Sequence, residues 1–206
     1  KHRIIGVGKN PYLSRAKSKN DKNITGLINQ IESEKLVVHS YSNYSAINLS
    51  TADTPIIRIE FAGIAKPIIE NEKVKRMDKY IQHGDTSTLE HCVAVAYVSF
   101  YIAKKMHLRC DYNSLIRGAL LHDYFLYDWH VADDSHKWHG FSHAQTALNN
   151  ASKDFELTNI EMDIIAKHMF PLNIKPPKYR ESYIVSLADK ICSSYETILG
   201  TPCYSV

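Results

Sequence analysis

Residues 115–123 read LIRGALLHD, and this stretch decides how the rest of the chain is interpreted. Its apolar residues recur at helical spacing, and Asp111 stands where it can cap the helix. The run ends in the ionisable pair His122-Asp123. A polar group buried beside apolar residues costs several kcal/mol unless something satisfies it. The stretch therefore predicts a helix that ends at a buried polar site.

Four more ionisable residues stand in similarly apolar surroundings. The chain has 11 histidines, and six of them fall between positions 122 and 168. Histidine is the commonest metal ligand among side chains. A shared metal centre would satisfy all these groups together with the doublet. The four residues are His91, His143, His168 and Asp189.

Four imidazoles and two carboxylates exceed the needs of one tetrahedral ion that keeps an open position. They suit two divalent ions about 3.5–4 Å apart. Adjacent residues project about 100° apart on a helix, so we expect Asp123 to bridge the ions. His91, His122 and Asp189 then hold one ion, and His143 and His168 hold the other. Nitrogen and oxygen donors favour Mn, Fe, Ni, Co or Zn, while Mg remains open.

Most of the chain has helical patterns. Ser87-Thr88-Leu89-Glu90 and Thr158-Asn159-Ile160-Glu161 both have the capping-box form. We expect a helix from Pro67 to Gly84, and at least five helices in all, which indicates an all-α bundle. We divide the chain into an N-terminal extension, 1–65, and a helical domain, 66–206. The alternating run from Ile57 to Phe61 predicts a strand or hairpin, which would give the extension some α/β character.

Composition and charge exclude several classes of protein. Hydrophobic residues make up 44% of the chain and charged residues 23%, as in ordinary globular proteins. The uncharged run from Val93 to Ala103 is too short to span a bilayer.

The four cysteines lack CxxC spacing, and no apolar signal core is present, so we expect a cytoplasmic protein. Residues 1–22 are basic, but we interpret them as a solvated terminus and expect no nucleic-acid or membrane partner; a homodimer stays open.

The ordered set of six residues resembles the HD-domain superfamily, which is named for its His-Asp doublet. It is most similar to the two-metal branch, in which two further histidines lie between the doublet and the last Asp. The contexts LEHCVAVA, GALLHD and LADK also agree, and the resemblance covers about residues 75–198. The aromatic stretch after the doublet, from Tyr124 to Trp129, is similar to that of small bacterial HD hydrolases.

The resemblance implies an all-α fold and a phosphohydrolase that cleaves a small phosphate ester, such as a nucleotide, with a metal-activated water. Asp123, His139 and Lys190 are then the expected catalytic residues. Cationic side chains near the site would bind phosphate. The predicted phosphate-binding residues are Arg117, Lys137, His139, Arg180 and Lys190.

Two other functions stay open. The same ligand set serves a smaller group of di-iron oxygenases. A non-catalytic sensor that binds a nucleotide or a metal would also use such a pocket. The Gly-Tyr-Pro motif of cyclic-dinucleotide phosphodiesterases is absent from the sequence, which disfavours that substrate.

Overall fold

The computed structural model describes residues 54–128, 139–201 and 203. This part of the chain is a helical bundle with one small hairpin, which confirms the all-α prediction. No helix within it combines the length and apolar character that a bilayer crossing needs. The basic segment 1–22 lies outside the described residues. The elements are α1 (Thr54–Ile69), α2 (Glu72–Lys75), a 3₁₀ turn (Arg76–Lys79), β1 (Ile81–His83), β2 (Thr86–Ser87), α3 (Thr88–Lys105), α4 (Tyr112–Leu121), α5 (His139–Asp154), α6 (Asn159–Lys167) and α7 (Arg180–Leu199).

The predicted helix caps are confirmed. Ser87 Oγ accepts a hydrogen bond from the Glu90 backbone N–H, and the Glu90 carboxylate accepts one from the Ser87 N–H. Thr158 and Glu161 form the same reciprocal pair at the start of α6. Asp111 caps α4 by accepting from the Ser114 N–H. These bonds satisfy N–H groups that a helix start leaves unpaired, so the sequence alone marks where three helices begin.

The core forms around α3, which packs against α4 and α7, while α6 packs against α4, α5 and α7. The approach of α4 to α6 is close at Gly118, where an added Cβ would lie 2.6 Å from Ile164 Cδ1. Leu115, Leu120 and Ile164 are fully buried in this region. This packing brings the ends of α4 and α6 together.

The predicted strand at residues 57–61 is wrong, because these residues lie within helix α1. Ile57, Phe61 and Ala65 are spaced by four positions and are all buried, whereas Ile59 is exposed. The run alternates locally, but its buried residues follow the helical period. Helix α1 also crosses the expected boundary between residues 65 and 66, and the division into two regions stays a prediction.

The predicted helix from Pro67 to Gly84 is also wrong. Pro67 lies in the last turn of α1, and Gly84 lies in the turn between β1 and β2 with a φ of +55°. A glycine adopts this conformation without strain, and a Gly-Asp pair suits a two-residue hairpin connection. A Cβ at Gly84 would lie only 3.0 Å from the Gly200 Cα, so the missing side chain lets the hairpin contact the end of α7.

We predict that Phe61→Ala lowers the free energy of unfolding by about 3–5 kcal/mol, because it removes a buried ring from the shared core. The Phe61 ring contacts the Tyr97 ring of α3 edge-on, with the centroids 5.3 Å apart. Ile59→Ala, on the exposed face of α1, should change stability by less than about 0.5 kcal/mol. Urea unfolding measures both, and equal effects would show that α1 does not belong to the core of the helical domain.

Candidate metal centre

The structure brings together all six residues that the sequence marks as metal ligands. His91 lies in the first turns of α3, and Asp189 lies midway along α7. Two histidines occupy the C-caps of α4 and α6, and Asp123 lies in the turn directly after α4. All six side chains belong to buried residues. They are His91, His122, Asp123, His143, His168 and Asp189.

Asp123 is at the middle of the cluster, and its two oxygens face different pairs of histidines. Oδ1 lies 3.4 Å from His143 Nε2 and 3.5 Å from His168 Nε2. Oδ2 lies 3.4 Å from His122 Nε2 and 3.9 Å from His91 Nε2. In each trio the potential ligand atoms all lie within 4.8 Å of one another. One carboxylate therefore belongs to both groups of potential ligand atoms, and its role as a bridge between two ions stays a prediction.

Asp189 joins the half of the cluster to which the sequence argument assigns it. Its Oδ1 lies 3.3 Å from His91 Nε2 and 3.8 Å from His122 Nε2. The Ser193 hydroxyl, one turn later on α7, donates to the same oxygen. Asp189 therefore lies close to the Nε2 atoms of both His91 and His122.

His91 is oriented by a buried carboxylate that the sequence analysis missed. Its Nδ1 donates to Glu196 Oε2 over 2.7 Å, and both residues are fully buried. A carboxylate on the outer nitrogen fixes the tautomer of a metal-binding histidine and raises its basicity. Glu196 follows Asp189 by seven positions on α7, so its place on the same helix face is a signal that could have identified it.

His122 and His168 are oriented by the helices that they terminate. His122 Nδ1 donates to the Ala119 carbonyl over 2.7 Å, and His168 Nδ1 donates to the Ile165 carbonyl over 2.9 Å. The last carbonyls of a helix have no partner within the helix, so a histidine at the C-cap can use them. In both rings the bond leaves Nε2 directed at the cluster.

Three buried atoms at the centre lack a hydrogen-bond partner among the described residues: His91 Nε2, His122 Nε2 and Asp123 Oδ1. His143 Nε2 and His168 Nε2 face each other over 2.9 Å. Buried polar atoms are normally paired, and those that are not need an explanation. Divalent ions bound by nitrogen and oxygen would satisfy these atoms, so the residues fit a metal centre.

Comparison with known families agrees with this geometry. The model of the HD domain family matches residues 88–193, which is about half of the chain. The chain belongs to the HD domain family. Members of this family are generally metal-dependent phosphohydrolases with His and Asp ligands. Searches of the curated proteins and of the solved structures gave no significant match.

Several ionisable groups of the HD site perturb one another's pKa strongly. Burial alone would lower the pKa of His91, but the carboxylates of Asp189 and Glu196 outweigh it and raise the pKa to about 10. Burial and the nearby His122 lower the pKa of His168 to about 3. Burial would raise the pKa of Asp123, but the surrounding imidazoles hold it well below its usual range. The protonated, positively charged form is therefore favoured for the His91 ring and disfavoured for the His168 ring.

A second residue that the sequence analysis missed lies just before the matched HD segment. Gln82, on β1, donates from Nε2 to Asp123 Oδ2 over 2.6 Å. The neighbouring His83 is half-buried, with its ring centroid 5.7 Å from that of His91. The sequence analysis predicted a helix in this region. The residues instead form a strand, in which successive side chains point to opposite faces, and this alternation places the Gln82 side chain on the inner face.

The Lys190 ammonium group has three protein acceptors, and its contact to phosphate stays a prediction. Its Nζ donates to the His168 carbonyl over 3.0 Å and to the carbonyl and hydroxyl of Ser186. An ammonium has three donors, and these three bonds account for them. The observed contacts tie α7 to the C-cap of α6.

Two arginines predicted to bind phosphate also have other partners. Arg117 Nε pairs with the buried Glu161 carboxylate over 2.6 Å, next to the capping box of α6. Arg180 Nη1 donates to the Arg109 carbonyl over 2.7 Å. Lys137 lies outside the described residues, as does the His139 side chain, although His139 begins α5.

We predict that Glu196→Gln weakens binding of Mn²⁺ to the HD site on the order of ten-fold, because it removes the charge behind His91. Glu156→Gln, at an exposed position after α5, is the matched control and should keep the affinity of the native chain. Isothermal titration with Mn²⁺ compares the variants. Equal affinities for Glu196→Gln and the native protein would contradict a role of Glu196 in metal binding.

Proposed function

We propose that this HD protein is a phosphohydrolase of the two-metal branch, which cleaves a small phosphate ester such as a nucleotide. One observation carries the proposal: two trios of buried ligand atoms share Asp123, and three of their atoms lack a hydrogen-bond partner among the described residues. Membership of the HD family supports the reaction class and a phosphate-containing substrate.

We assign the residues to two divalent transition-metal ions, of Mn, Fe, Ni, Co or Zn, with Mg as a further option. Asp123 is the shared ligand, because each of its oxygens faces one histidine pair. His91, His122 and Asp189 complete one site, and His143 and His168 complete the other. When bound, the two ions would supply the Lewis acidity that activates a water and offsets charge on a phosphoryl group.

The protein's own contribution is to hold these ligands in place. The Nδ1 bonds of three histidines fix which nitrogen faces the centre. Lys190 holds the His168 backbone against α7. Rigid ligands reduce the reorganisation needed during reaction. Because helices and the turn directly after α4 carry all six proposed ligands, the centre would be built on the packed part of the fold.

Contacts to substrate would come from the segment that leads into α5. We propose that His139, one helical turn before His143, donates a proton to the leaving oxygen, and that Lys137 contacts phosphate. Arg117, Arg180 and Lys190 stay predicted phosphate contacts, and each also donates to a protein partner described above.

We predict that the purified protein with Mn²⁺ hydrolyses members of a panel of phosphate monoesters and diesters. His122→Ala should lower the rate by on the order of 100-fold or more, because it removes a metal ligand. His107→Asn is the control, since this exposed residue has a φ of +50°, which Asn tolerates. Released phosphate and bound metal are measured together.

Two outcomes of this experiment would contradict the phosphohydrolase proposal. Native protein that retains iron and consumes oxygen with an added substrate, but releases no phosphate, would favour the oxygenase. Protein that binds Mn²⁺ and is stabilised by nucleotides without turning them over would favour the sensor.

A further inference from the structure

We propose that Gln82 is a positioning residue that holds the Asp123 carboxylate in its bridging orientation; this inference rests on the proposed two-metal function. Gln82 Nε2 donates to Asp123 Oδ2 over 2.6 Å. The two residues are 6% and 2% exposed, so water does not compete for this bond. Gln82 precedes the segment that the HD family model matches, so the donor of this bond comes from outside that segment, whereas its acceptor, Asp123, lies within it.

The orientation of Asp123 needs a restraint, because the terminal torsion of an Asp side chain has a broad, shallow energy profile. Its two oxygens face different histidine pairs only when the carboxylate plane has a particular orientation. A bond from a fixed donor to one oxygen sets that orientation. Such bonds to a charged acceptor are about twice as strong as neutral ones. Without it, one ion could take both oxygens and leave the second site short of a ligand.

Gln82 can serve as a fixed donor because its own position is determined on two sides. Its Oε1 lies 3.3 Å from the Thr88 hydroxyl at the start of α3. This hydroxyl shares its one proton between Gln82 Oε1 and the Tyr80 carbonyl, 3.2 Å away. Strand β1 pairs with β2 through Ile81 opposite Ser87 and His83 opposite Thr86. Side chains alternate along a strand, so the partly exposed Ile81 leaves the Gln82 side chain facing inward.

The amide is chemically suited to this position. An amide nitrogen only donates, and it carries no charge, so Asp123 keeps its negative charge for bound cations. A Lys or Arg here would form an ion pair with the carboxylate and compete with metal. A Glu would place a second carboxylate 2.6 Å from the first, which disfavours the charged form of both.

The test is a titration of the full-length protein with Mn²⁺, in which the two binding steps are followed by calorimetry. Gln82→Met removes the donor and keeps most of the side-chain volume. We expect it to weaken the second ion on the order of ten-fold and to change the first ion much less. Thr88→Val removes the hydroxyl next to Gln82 Oε1 and should also weaken binding of the second ion. This variant keeps the test valid if Gln82→Met does not fold. Ile81→Val, on the same strand, is the matched control.

The outcomes separate this inference from the proposed function. If the native protein binds two ions and Gln82→Met and Thr88→Val do the same with native affinities, the role of Gln82 is refuted and the two-metal centre stands. An equal loss for both ions, with a lower melting temperature before metal is added, would show a general structural role and also refute the inference. A native protein that binds fewer than two ions would refute both.

Discussion

The buried negative charge of Asp123 is the constraint on which the site depends. The residue is 2% exposed and surrounded by four imidazoles and the Gln82 amide. In so poorly hydrated a place a charge must be matched closely by its neighbours, or it is lost by protonation. Four helices and a hairpin therefore have to converge on one carboxylate. This requirement accounts for the apolar surroundings of each ligand, because the ligands are close-packed parts of the core.

Helix ends provide much of this convergence. His122 and His168 each end a helix and use a carbonyl of the last turn to orient their rings. The close approach at Gly118 brings the two helices together, so that the rings lie 4.8 Å apart, centroid to centroid. One small residue thereby contributes to the geometry of the centre without contacting it.

The sequence predicts well which ionisable side chains come together, because the signals are local. An ionisable residue within an apolar helical run is conspicuous, and caps such as Ser87 and Thr158 mark helices that carry the clustered side chains. The orienting residues are harder to find, because Glu196 and Gln82 look like ordinary polar residues until the fold shows what they contact.

The protein partners of the cationic side chains were not predictable for the same reason. Arg117 and Lys190 stand next to site residues in sequence, but their partners are determined by tertiary packing.

The hairpin was missed because two-residue turns and very short strands carry little periodicity. Helix α1 was mistaken for a strand because five residues cannot distinguish the two periods, whereas the burial of Ala65 and Ile68 further along can.

The contact between Gly84 and Gly200 bears on how the HD domain can be isolated. A fragment cut to the matched residues 88–193 would retain all six clustered side chains but would lose both Gln82 and Glu196. The hairpin tip contacts the end of α7. Removing the hairpin would therefore expose the end of α7, and removing the end of α7 would expose the hairpin tip. A fragment that keeps the residues orienting His91 and Asp123 must therefore extend beyond both ends of the matched segment, to the hairpin on one side and to the end of α7 on the other.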